Sequence, residues 1–349
     1  MALLWIEGFE SFGVTNGNVP VGLKQKYDNS TDDASVGTVQ AGRVAGHSMR
    51  LTTGGTFIQK YNLSSGSTTM IAGFGFYQDA FTATNVIFQF WDNTNVQGTL
   101  AILTSGLWRY SRGGTLGSEG TTLGTSSGSA ITTGTWFYVE LKVKFHGTTG
   151  TVDIWVNGSN VLSLTSQNTD RTGSTNATST MWEGSLNSND HTQLDDIYVL
   201  DDSGSVNNAR LGAQVVTMVV PASDAGTNAY TPDSGTNHWD RLTDNPRDTT
   251  SYLADDTTGH RELFNMGTAH SAAIAGIQVN AVTAITDATV YSLKNSSHTS
   301  GGTDTDQTAV TIADAAYQTV ANVIEKNPET SALWTEAGLN GCQFGFKTG

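Results

Sequence analysis

Cysteine is almost missing from this chain. Cys342 is the single one in 349 residues, which excludes an intrachain disulfide framework and any metal site built on several thiolates. It sits in an apolar, strand-like run and reads as a buried free thiol. Charge is scarce too, at 14% of residues, well under the usual ~25%. Basic residues are the scarcer sign: 17 Lys and Arg stand against 32 Asp and Glu, a net charge of −15. That balance speaks against a nucleic-acid backbone or an anionic membrane as partner. No apolar run approaches the ~18 residues that span a bilayer. The stretch Met1 to Glu10 has no basic start and carries Glu7 and Glu10, so it does not read as a secretory signal.

Several catalytic signatures are missing as well. No P-loop, dinucleotide fingerprint or Gly-x-Ser-x-Gly elbow is present. The seven histidines (His47, His146, His191, His238, His260, His270 and His298) have no His-x-His or His-x-x-x-His spacing. Glycoside hydrolysis needs two carboxylates ~5–9 Å apart. The candidates Glu140, Asp153 and Glu183 are lone acids. Asp195 and Asp196 are adjacent, so a strand points them to opposite faces. The expectation is therefore a protein that is not an enzyme. Calcium is the metal the composition leaves open, with Asp195, Asp196, Asp201 and Asp202, or Asp304 with Asp306, as oxygen ligands. No EF-hand loop supports it, and acidic turns are commonly just solvated.

What is abundant is glycine, with 39 residues, together with Thr, Ser and Asn, the mixture of turn-rich β-proteins. Trp136 to Leu164 states the pattern most openly. Phe137, Val139, Leu141, Val143 and Phe145 alternate with Tyr138, Glu140, Lys142 and Lys144, the period of a strand with one buried face. After Gly147–Gly150, Val152, Ile154 and Val156 alternate with Asp153, Trp155 and Asn157. Asn157-Gly158 suits a tight hairpin, and Val161, Leu162 and Leu164 return. Three antiparallel strands with one oily face need a second sheet to cover them.

Further strands are expected at 3–6, 70–77, 86–91, 100–103, 107–110 and 194–200, and a pair at 48–51 and 56–61 around Thr53-Gly54-Gly55. Residues 113–134 and 166–179 read as loops. The small polar stretch 203–209 suggests a boundary, giving domains 1–203 and 204–349. Beyond it, Val215 to Val220 reads as a strand stopped by Pro221, and 222–250, with Pro232 and Pro246, as a loop. Strands are expected at 274–284, 289–293, 317–324 and 342–347, with a turn or single helical turn over 334–340.

A binding surface is conceivable on the wet face of the 136–157 pair, where Tyr138 and Trp155 stand beside Glu140, Lys142 and Asp153. Trp108 and Tyr110, flanking Arg109, form a second aromatic pair. A sugar ring packs its CH face on such rings. The alternative, which is favoured, is that these five residues seal the other sheet or a subunit interface.

Five segments carry a family resemblance: Leu4 to Glu10, His47 to Leu51, Trp136 to Val143, Val152 to Gly158 and Leu194 to Val199. In this order they resemble a concanavalin A-like (laminin-G-like) jelly roll over residues 1–203. The resemblance implies an all-β protein in which the first and last strands of that domain lie side by side. The second domain would be a smaller jelly-roll-like sandwich. Such a pair of domains, with Leu211-Gly212 leading a strand at Val215 to Pro221 and Trp334-Thr335-Glu336 with Leu339-Asn340 before the closing strand, resembles structural proteins of tailed bacteriophages. It implies a protein made in the host cytoplasm without a signal peptide and carried on the virion exterior, on the tail or the head surface. Its partners would be other virion proteins, copies of itself in a homo-oligomer, and a host-surface glycan. The alternatives are a capsid decoration protein without a receptor role, or a carbohydrate-binding or carbohydrate-active sandwich protein. The resemblance transfers no catalytic residue and no cofactor.

Overall fold

The computed structural model describes residues 3–13, 20–31, 37–51, 55–64, 66–92, 94–128, 130–171, 173–185, 187, 190–245, 249–269, 273–286, 289–313 and 315–349. Thr53, Gly54, Pro246 and His270 lie outside the described residues. The chain divides into two compact units, Met1–Glu10 with Val14–Thr217, and Ser11–Gly13 with Met218–Gly349. The division falls 14 residues beyond the boundary expected at 203, a difference of 217 − 203.

The first unit runs through β1 (Leu3–Glu7), α1 (Pro20–Lys26), β2 (Asn29–Ser30), β3 (Gly37–Ala41), β4 (His47–Leu51), β5 (Phe57–Lys60), β6 (Thr69–Gln78) and β7 (Asn85–Asp92). It continues with β8 (Asn95–Ile102), β9 (Trp108–Thr115), β10 (Ser118–Thr125), β11 (Phe137–Lys144), β12 (Gly150–Val156), β13 (Ser159–Gln167), β14 (Ser179–Glu183) and β15 (Thr192–Asp201). Two antiparallel sheets result. One has the order β13-β12-β11-β6-β15-β4-β3, with β1 also on β15; the other is β10-β9-β8-β7-β14-β5-β2.

The expected run of three strands is present as β11, β12 and β13, with Asn157 and Gly158 at φ 47° and 82° in the turn. First and last strands do lie side by side, Trp5 opposite Val199 and Ile6 opposite Tyr198. The sheets close on an aromatic core. Phe74 stacks on Phe88 at 5.9 Å, Phe76 meets Trp108 at 5.2 Å and Phe145 meets Phe90 at 5.6 Å, each pair joining the two sheets. Interdigitated inner faces of this kind make a β-sandwich.

Three local expectations are corrected. β4 and β5 do not pair, because the chain crosses from one sheet to the other between them. The expected loop 113–134 contains β10, which has few apolar residues to announce it and is held to β9 by its backbone ladder. Val215 to Val220 is not a strand: Val215 and Met218 are exposed, and the strand begins at Pro221 instead. Proline is tolerated there because it opens an edge strand.

The second unit carries β16 (Pro221–Asn228), β17 (Thr231–Pro232), β18 (Leu253–Ala254), β19 (Arg261–Met266), β20 (Ile277–Thr283), β21 (Tyr291–His298), β22 (Asp304–Asp306), β23 (Val310–Ile312), β24 (Gln318–Ile324), α2 (Glu336–Asn340) and β25 (Gln343–Thr348). β16-β19-β25-β21-β22, with β23 on β21, form one sheet and β20-β24 a second. Residues of both meet in the core: Phe344 packs with Ile324, Trp334 and Cys342, and Leu293 with Val320 and Ile312. The expected loop 222–250 thus holds most of one edge strand. Cys342 is a buried free thiol as expected, and burial raises its pKa. The protein is all-β, built as β-sandwich units.

Candidate functional site

Each strand of the seven-stranded sheet turns one side to the aromatic core and the other away from it. On β7, Phe88 and Phe90 point inward, so Gln89 points outward. Register places Gln59, Met181, Gln89, Thr99 and Ser111 opposite one another in a row across five strands of that outer side. All five are buried. Polar side chains kept from water need partners, and much of this row finds them in the β9–β10 hairpin. Gln89 Nε2 donates to the Thr115 carbonyl at 2.9 Å, Thr99 Oγ1 to the Gly113 carbonyl at 2.7 Å and Ser111 Oγ to Glu119 Oε1 at 3.1 Å.

The row therefore braces the hairpin, whose glycines make the bend possible. Gly113 and Gly114 sit at φ 66° and 135°, where an L side chain is strained. A Cβ on Gly120 would stand 2.2 Å from the Arg112 carbonyl oxygen, so the two arms approach as only glycine permits. Between them lies an open cleft of about 350 Å³, lined by Arg112, Gly113, Gly114, Thr115, Glu119, Gly120, Thr121 and Arg171. Arg171 reaches in from the segment after β13. Its Nη1 donates to the Gly114 carbonyl at 2.6 Å and its main-chain N–H to Gln97 Oε1 at 3.3 Å.

Glu183, on β14 beside this row, is buried, and its Oε1 has no hydrogen-bond partner among the described residues. Loss of solvent pushes its pKa up to about 8, against the opposing effect of a hydrogen bond from the Gly117 backbone. Burial thus favours its protonated form.

The aromatic residues singled out from sequence do not form a sugar platform. Trp108 and Tyr110 are fully buried on the core side of β9, and only Arg109 between them turns outward, where it pairs with Glu119. Tyr138 and Trp155 do share a face, but Tyr138 is covered. Its hydroxyl donates to the Asp196 carbonyl at 3.0 Å, and the Arg43 guanidinium lies 4.9 Å from its ring. Trp155 is half-buried beneath Arg210, 5.0 Å away. The cause in both cases is the segment 210–216, which lies over this side of the eight-stranded sheet. Gly212 N donates to Glu140 Oε1 at 2.8 Å and Val216 N to Asp196 Oδ1 at 2.7 Å.

Asp195 and Asp196 also depart from expectation. The pairing of β15 with β6 shifts between Asp195 and Tyr198, and Asp196 takes φ 50°. The bulge brings both carboxylates to Arg43: its main-chain N–H donates to Asp195 Oδ2 at 2.6 Å and its Nε to Asp196 Oδ2 at 2.9 Å. Burial, and then the neighbouring Asp196, push Asp195 up to about 7. Asp201 Oδ1 accepts from Ser203 N and Oγ, and Asp202 is exposed. These four calcium candidates do not converge, and Asp304 and Asp306 pair with Arg261. Among the described residues no group of three or more His, Cys, Asp or Glu side chains could hold a metal ion.

The sequence reading missed Arg112, Arg171 and the polar row. Gln89 between Phe88 and Phe90 was the available signal, a polar residue inside an apolar strand.

No family model matches the chain, and no curated protein does. Among solved structures it is similar to the alginate lyase Aly36B, at 16% identity and TM-score 0.40, over 56% of this chain and 95% of that one. It is similar to the binding domain of Paraclostridial Mosquitocidal Protein 1, at 16% identity and TM-score 0.39, over 57% of this chain and 48% of that one. A third is the Trypanosoma rangeli sialidase in complex with the inhibitor DANA, at 13% identity and TM-score 0.34, over 50% of this chain and 28% of that one. At these scores the likenesses assign no activity to this chain. The expectation that the chain is not an enzyme is withdrawn, because the structures it is similar to include an alginate lyase and a sialidase.

Proposed function

We propose that the first unit is a carbohydrate-binding sandwich that holds a sugar in the cleft of the β9–β10 hairpin. One observation carries this reading: the cleft is open, polar and braced from below by a buried row of Gln89, Thr99 and Ser111. Its volume of about 350 Å³ falls within the ~300–1,000 Å³ of small-molecule sites. Sugar hydroxyls find donors in the two arginines and Thr121 and acceptors in the hairpin carbonyls. Because the two arms are held by a backbone ladder and Arg171 is fixed on the Gly114 carbonyl, little conformational entropy is lost on binding. A panel of immobilised polysaccharides tests it. Binding by the whole chain, abolished in Thr121→Trp with an unchanged unfolding midpoint, is the expected result; no binding to any member overturns it.

We propose further that the chain is carried on the exterior of a tailed-phage particle, on tail or head, beside other virion proteins and copies of itself. The likeness of the two-domain arrangement, with Leu211-Gly212 and with Trp334-Thr335-Glu336 before the closing strand, to structural proteins of tailed bacteriophages supports this placement. Mass spectrometry of purified particles tests it, and absence of the chain from intact virions rejects it.

A further inference from the structure

We infer that the sugar held in this cleft is acidic, a polysaccharide carrying carboxylate or sulfate groups, with Arg112 and Arg171 as the residues that take the anion; this rests on the carbohydrate reading above. The cleft contains three charged side chains: Arg112, Glu119 and Arg171. Glu119 is already consumed. It accepts from Arg109 Nε at 2.7 Å and from Arg109 Nη2 on its other oxygen, and also from Ser111 Oγ. Arg109 and Glu119 therefore cancel.

The remaining two charges are both positive. Arg171 meets a neutral carbonyl, that of Gly114, which fixes the guanidinium, and among the described residues no carboxylate compensates its charge. Its stem lies against Gly113, where a Cβ would come 2.8 Å from Arg171 Cδ, so the side chain is also held by packing. Arg112 is half-buried and, among the described residues, has no ion pair with any carboxylate. In a chain of net charge −15 with acids available for pairing, a recess lined by two arginines that pair with no carboxylate among the described residues is arranged for an anion. Guanidinium offers a planar fork of N–H donors that fits a carboxylate or sulfate better than a hydroxyl. The long-range negative field of the protein opposes any polyanion, but it is screened beyond ~8 Å at physiological salt. Recognition is then local, by two forks on a rigid hairpin.

The test uses the whole chain against four polymers of matched length: a uronate polysaccharide, a sulfated polysaccharide, a neutral polysaccharide and polyglutamate. The acidic polysaccharides are expected to bind at least about tenfold more tightly than the neutral one. Arg112→Gln and Arg171→Gln should each remove most of that preference while the unfolding midpoint stays in place. Preference for the uronate or for the sulfated polymer identifies which anion the forks were built for, and either supports the inference. Equal binding of the neutral polymer, with both substitutions silent, overturns the acidic inference and leaves the carbohydrate reading standing. Polyglutamate bound as tightly as the acidic polysaccharides overturns the carbohydrate reading and keeps the anion site. Binding to none of the four overturns both.

Discussion

Arg210 and Glu140, 70 positions apart, are joined at 2.7 Å, and the same guanidinium covers the ring of Trp155. Glu140 is buried in the middle of the eight-stranded sheet and accepts from Arg210, Gly212 N and the Tyr198 hydroxyl. Tyr198 in turn accepts from Leu211 N at 3.2 Å. The segment just beyond the small polar stretch 203–209 is therefore part of the first unit's structure, tied down by buried carboxylates.

Arg210→Ala leaves Glu140 buried with its counter-charge removed. Breaking buried pairs costs ~3–5 kcal/mol, and this arginine is partly exposed, so the expected loss is about 2 kcal/mol. Urea unfolding of the variant measures it. Arg210→Lys keeps the charge but not the fork and should recover only part.

Fragment boundaries provide a second check. A fragment of residues 1–217 retains the donors to Glu140, Tyr198 and Asp196, whereas one ending at 203 strips them away. The longer fragment should unfold cooperatively and the shorter one at clearly lower urea, or not fold at all. Equal midpoints would show that the 210–216 segment contributes nothing to the first unit.

The legible part of this fold was its least covered part. β11 and β12 alternate visibly because much of one side of each meets polar surroundings. β6, reading TMIAGFGFYQ, has no such period, since the aromatic core covers one side and Tyr198 and Arg43 the other. Trp108-Arg109-Tyr110 alternates cleanly, yet alternation alone does not say which side is inward. The adjacency of Asp195 and Asp196 misled for a physical reason: a bulge breaks the rule of opposite faces. Arg112 and Arg171 line one cleft only through the curl of a glycine hairpin, which no spacing in the chain encodes.

Glu183 makes the first unit's stability depend on pH. An ordinary glutamate ionises near 4.5, whereas this one holds its proton up to about 8. Between those values the folded chain binds a proton that the unfolded chain has released. Its contribution is therefore full below 4.5 and declines as pH rises through that window, by at most ~1.4 kcal/mol per pH unit. Glu10, raised to about 9, and Asp195, raised to about 7, act in the same direction. The informative quantity is thus the difference between Glu183→Gln and the parent chain. The variant should gain relative stability in urea from pH 5 to pH 8; parallel curves would mean that Glu183 is already ionised in the folded state.

Gly73 occupies the centre of β6, between β11 and β15, where Tyr198 lies flat across the strand. A Cβ there would stand 2.2 Å from Tyr198 Cε1, far inside contact distance. Gly73→Ala should therefore cost ~3 kcal/mol, at the upper end of overpacking effects, because the ring is pinned by Glu140 and Leu211 and cannot step aside. The clash predicts a coupling as well as a cost. In a Tyr198→Ala background the same substitution has room and should be nearly neutral, so a double-mutant cycle should return an interaction energy of ~2 kcal/mol or more. Additive costs would mean that Gly73 is required for its backbone alone, and that the tyrosine does not set the width of the trough beneath the 210–216 segment.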